Sequence, residues 1–90
     1  MKLDSVALGE RSLNDLGYAL LGEEKTADAI AVFRLNAEQF PASPNTWDSL
    51  AEAYLAAGDR TRAIEYYEKS LELDPDNRNA TRKLRELRGG

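Results

Sequence analysis

Between Trp47 and Pro75 the chain carries two amphipathic helical patterns joined by a Gly-Asp break, and a second copy of that pattern lies 34 residues earlier. Trp47, Leu50, Ala51 and Tyr54 fall at spacings of three and four, so they share one face of a helix, and Ala63, Ile64, Tyr67 and Leu71 do the same further on. Gly58 can take the left-handed conformation that ends a helix, and Asp59 can accept from the first free amides of the next. The expectation is a helix-turn-helix hairpin. Two hairpins in tandem can bury their apolar stripes only by stacking.

The earlier copy has its own two stripes, Leu13, Leu16, Gly17 and Leu20, then Ala29, Ile30, Phe33 and Ala37. Laying residues 10–43 on 44–77 gives seven identities, against about two expected from ordinary residue frequencies. Gly17, Ala29, Ala51 and Ala63 are read as the positions where paired helices cross closely, because a larger side chain would force them apart. Phe33 and Tyr67 then fill the space toward the next hairpin, and Trp47 is expected to be buried between hairpins. Glu24 and Lys25 stand where the second copy has Gly58 and Asp59, so the first turn is expected to be looser by a residue. Pro41 and Pro75 stop the second helices, while Ser43-Pro44 and Asp74-Pro75 read as a cap followed by proline at the first helical position.

Trp47, Leu50, Ala51, Tyr54, Gly58, Ala63, Tyr67 and Pro75 sit at the spacings of a tetratricopeptide (TPR) repeat, which this stretch resembles. It departs from the family pattern mainly at Ser70, where alanine is usual, and at Arg60, where an aromatic is common. The expected fold is all-α, an α-α superhelix of two TPR hairpins plus a C-terminal capping helix. The expected divisions are a lead-in over 1–9, frayed or the end of a preceding helix, then TPR 1 over 10–43, TPR 2 over 44–77 and a capping helix with its tail over 78–90. In the last segment Ala80, Leu84 and Leu87 form an apolar side, but Thr81, Arg85 and Arg88 stand where a third repeat would place apolar residues. A polar outer face of that kind closes a repeat array.

The chain has no cysteine and no histidine, so disulfides, thiolate metal sites and the commonest nucleophile-base pairs are excluded. Each serine and threonine reads as a cap or a solvent-facing helix residue, and catalysis is not expected. Glu65, Glu68 and Glu72 are spaced like a metal rack, but Lys69 at i,i+4 from Glu65 makes a solvated helix face the better reading. No metal and no cofactor are expected. Residues 78–88 carry +4 and the rest of the chain −8. An acidic body disfavours a nucleic-acid partner. No apolar run approaches the roughly 20 residues a membrane span needs, so a soluble chain, cytoplasmic by default, is expected.

The TPR resemblance implies a non-catalytic interaction or scaffolding module that holds a peptide or helix in a concave groove lined by its first helices. By register that groove would present Arg11, Asn14, Tyr18 and Leu21 from the first copy, Asp48, Glu52 and Leu55 from the second, and Arg82 with Glu86 from the cap. TPR proteins that clamp the acidic tails of heat-shock chaperones use a lysine and asparagines. Here Asn14, Tyr18 and Ser49 stand at corresponding places and only Lys83 matches a basic clamp position, so that specificity is not implied. A narrower likeness, from Ser12 to Asp59, is to the TPR segments appended to bacterial serine hydrolases of the esterase and β-lactamase-like families. It implies an alternative role, a regulatory or structural appendage docking on a hydrolase domain absent from this chain. The expected partner is a protein or peptide, and with two repeats the chain is expected to be a monomer or weakly self-associating.

Overall fold

Helices α1 (Glu10–Gly22), α2 (Thr26–Gln39), α3 (Pro44–Ala56), α4 (Arg60–Leu73) and α5 (Arg78–Leu87) make up a computed structural model that describes residues 9–89. The expected lead-in contacts of Leu3, Val6 and Leu8 lie outside the described residues. The starts of α1, α3 and α5 are 34 residues apart, as are those of α2 and α4, so α5 occupies the place of a third repeat's first helix. No strand occurs among the described residues.

The first turn is not looser than the second. Glu24 adopts φ 63°, the left-handed conformation that Gly58 takes at φ 83°. The Lys25 amide then donates to the Leu20 carbonyl at 2.8 Å, as the Asp59 amide donates to Tyr54 at 2.9 Å. Stacking therefore imposes on a glutamate a backbone state that L side chains disfavour by about 1–2 kcal/mol.

Asp59 caps α4 as expected, accepting from the Arg62 amide at 3.1 Å. The other expected caps differ. Pro44 opens α3, but the Ser43 hydroxyl donates to the Glu10 carboxylate instead of capping its own helix. Asp74-Pro75 does not open a helix: Asp74 ends α4, and Asn77 caps α5 by accepting from the Ala80 amide at 3.1 Å. Phe40 and Asp74, each preceding a proline, sit outside the helical region at φ −128° and −142°, as the clash with the proline ring requires.

Ala29, Ala51 and Ala63 are fully buried at the helix crossings, along with Phe33 and Tyr67. A Cβ on Gly17 would stand 2.3 Å from the Phe33 ring, so α1 and α2 meet as closely as a glycine allows. Two polar side chains share this core in equivalent places. Asn36 donates to the Glu10 carbonyl at 3.0 Å and Ser70 to the Pro44 carbonyl at 2.9 Å. Each ties the second helix of a hairpin to the opening of the first. Those bonds explain why neither position holds the usual small apolar residue.

Trp47 is only half-buried. Its ring stacks on Tyr66 within its own hairpin, centroids 5.7 Å apart, and its indole N–H donates to the Pro41 carbonyl at 2.9 Å. Tyr66 in turn stacks on Tyr54. Arg34 and Arg62 lie over Tyr54, and the Lys69 ammonium sits 5.6 Å from the Trp47 ring centre. Lys69 therefore serves an aromatic face, where an ion pair with Glu65 was expected, while Glu68 pairs with Arg88, the residue that follows α5.

The Cα radius of gyration is 13.4 Å, above the about 12 Å of a compact domain this size. Stacking in one direction produces that elongation. No described helix is long and apolar enough to cross a membrane.

Candidate functional site

Residues 11, 14, 18 and 21 of α1 recur at 45, 48, 52 and 55 of α3, and one turn of register places these positions along the same side of adjacent helices. The structure gathers Arg11, Asn14, Tyr18, Asp48 and Glu52 around one open pocket of about 430 Å³, with Glu10, Asn45, Ser49 and Asn79 completing it. Leu21 and Leu55 are half-buried and do not line that pocket, and Arg82 lines another, at the far side of α5. Glu86 is exposed on α5.

These side chains are linked to one another across the repeats. The Tyr18 hydroxyl donates to a Glu52 carboxylate oxygen at 2.8 Å, and lies 3.3 Å from the Ser49 hydroxyl. Ser49 donates to the Asn14 amide oxygen at 2.6 Å, and the Asn79 amide donates to Asp48 at 3.1 Å. The Tyr18 ring also meets Phe33 edge-on at 5.0 Å. The groove wall is therefore also the seam between first helices, which sequence register alone did not reveal. Glu10, Asn45, Ser49 and Asn79 were missed as lining, although the one-turn offset of Ser49 from Glu52 and of Asn79 from Arg82 is readable in the sequence.

Burial pushes the Tyr18 phenol up to about 12, an effect to which the Glu52 carboxylate adds, so it remains a donor at physiological pH. Burial also raises Asp48, against the hydrogen bond from Asn79, and Glu52 raises it further. Its second carboxylate oxygen is enclosed without a protein partner, as is the hydroxyl of buried Tyr67. Burial raises Tyr67 as well, reinforced by Glu52 and Asp48. The pocket thus combines carboxylate acceptors, side-chain amides and one tyrosine edge, with Arg11 at its border. Among the described residues no set of three or more potential ligands converges to hold a metal ion.

Stacked helical hairpins with a groove along their first helices define a repeat scaffold, the α-α superhelix. The family model of the tetratricopeptide repeat matches residues 44–77, the second hairpin. The crystal structure of the Sgt2 TPR domain from Aspergillus fumigatus is similar, with a TM-score of 0.82 and 26% identity, over 88% of this chain and 52% of that one. This chain spans about half the length of that structure. No curated protein matches the chain.

Proposed function

We propose that the chain is a non-catalytic protein-interaction module that takes an extended peptide or a helix into the groove between Arg11 and Glu52. The observation that carries this reading is the convergence of Arg11, Asn14 and Tyr18 from α1 with Asp48 and Glu52 from α3 on one open pocket. Side-chain amides and carboxylates at fixed spacing suit a peptide backbone, whose amides donate and whose carbonyls accept once each residue. The repeat fold and its Sgt2 relative support a binding role.

The reading is tested by selecting a random-peptide phage library on the full chain and measuring the enriched peptides against two charge reversals, Asp48→Arg in the groove and Glu65→Arg on α4. Loss of binding with the first alone supports the groove. Equal binding by both variants moves the site elsewhere.

A further inference from the structure

We infer that the exposed face of α5 is a second docking surface, separate from the groove, and that it takes an acidic polypeptide segment through a fork of arginines. Arg78, Arg82 and Arg85 follow one another at spacings of four and three, so they share a helix face. All three are exposed, and with Pro75, Asp76 and Thr81 they border an open depression of about 720 Å³. Among the described residues none of the three meets a carboxylate, whereas Arg88 and Arg62 each do. The one side-chain bond among them is from Arg82 to the Asn79 amide oxygen, at 2.9 Å.

The position of this face in the array decides what it can hold. In the two hairpins the counterparts of Thr81, Arg85 and Arg88 are Leu13 and Trp47, Gly17 and Ala51, Leu20 and Tyr54, and these lie under the second helix. At the Gly17 crossing even a Cβ has no room. Arg85 stands at the same crossing, so a second helix at the repeat's own spacing would have to displace a long charged side chain. This face of α5 therefore suits a ligand of opposite charge better than an apolar helix.

Charge sets the class of that ligand. Residues 78–88 carry +4 while the remainder carries −8, so an anion is attracted to this end more than to the acidic body. Every cation bordering the depression is arginine, not lysine. A guanidinium presents a planar fork that matches a carboxylate with two parallel hydrogen bonds, where an ammonium acts as a point charge. A nucleic acid is disfavoured, because three arginines on one short helix cannot follow a phosphate chain that then meets an acidic body.

The test is fluorescence anisotropy of a labelled glutamate-rich peptide titrated with the full chain at low and at physiological salt, beside a neutral Gly-Ser peptide. Binding of the acidic peptide alone, weakened about tenfold at the higher salt, is expected. The variant R78Q/R82Q/R85Q should abolish it with unchanged circular dichroism, and R78K/R82K/R85K, which keeps the charge and the fold, should weaken it about fivefold or more. K25Q/R60Q should leave it unaltered. The proposal is overturned by no binding at low salt, by full binding to the lysine variant, by equal loss in K25Q/R60Q, or by tighter binding of a thymidine oligomer of the same charge.

Discussion

Replacing Trp47 by alanine should be less damaging than replacing the smaller Phe33, and the structure supplies the terms. Phe33 has no exposed surface, lies against Gly17 and meets Tyr18 edge-on; truncating such a ring costs about 3–5 kcal/mol. Trp47 is half-buried, and what it loses can be counted. Its stack on Tyr66, its bond to the Pro41 carbonyl and the Lys69 contact go with it, but the ring is only partly withdrawn from water, so the loss should fall toward the lower end of the about 3–5 kcal/mol of a fully enclosed aromatic. Urea denaturation followed by circular dichroism at 222 nm would measure both. Against the roughly 5–13 kcal/mol expected of 90 residues, W47A should remain folded with a lowered midpoint, and F33A should be near the limit of folding. The reasoning fails if W47A is the more destabilised of the two, since the tryptophan would then bridge the hairpins as its sequence position first implied.

Glu24→Gly should raise stability by about 0.5–1 kcal/mol, the relief of a left-handed glutamate less the added freedom of glycine in the unfolded chain; a lowered urea midpoint would show that Glu24 is held by contacts worth more than its strain. Asp48 has a folded pKa above its unfolded one, so the native state binds its proton more tightly. Its destabilising effect is therefore complete above the folded pKa and absent below the unfolded one. Asp48→Asn should consequently stabilise the chain at about pH 7, with a gain that shrinks toward about pH 3.5. A gain independent of pH in paired urea titrations would assign the effect to packing.

The hairpins were legible because their signal is one of spacing. Apolar residues three and four apart, with proline and Gly-Asp stops, place α1 to α4, and a 34-residue register then locates α5 without further information. Details that depend on a neighbour were not legible. Trp47 and Leu13 stand at the same place in the repeat, yet Leu13 is buried and Trp47 turns onto Tyr66, because Tyr66 is aromatic where the first copy has Val32. Glu24 adopts glycine's conformation because the stacked helices on both sides determine the turn. In the groove, register placed Arg11, Asn14, Tyr18, Asp48 and Glu52 on one side, but it also included Leu21 and Leu55, which do not line the pocket, and it did not give the bonds. A tyrosine and a glutamate 34 residues apart are each ordinary, and only stacking brings their polar ends within 2.8 Å.

Substantial packing joins each helix to the next in sequence, and α1 to α3, with no contact of that extent between the first hairpin and α5. Chain segments that must find one another are therefore never far apart along the backbone, which places the protein among domains of low contact order, whose folding takes microseconds to milliseconds. The same arrangement leaves protection from solvent exchange unequal along the molecule. Helices α2, α3 and α4 are each held from two sides, whereas α5 rests mainly on α4 and can open without disturbing the rest. Amide protons of α5 should exchange well before those of α3, and each opening of α5 would withdraw Asn79 from Asp48 and so widen the pocket between the first helices.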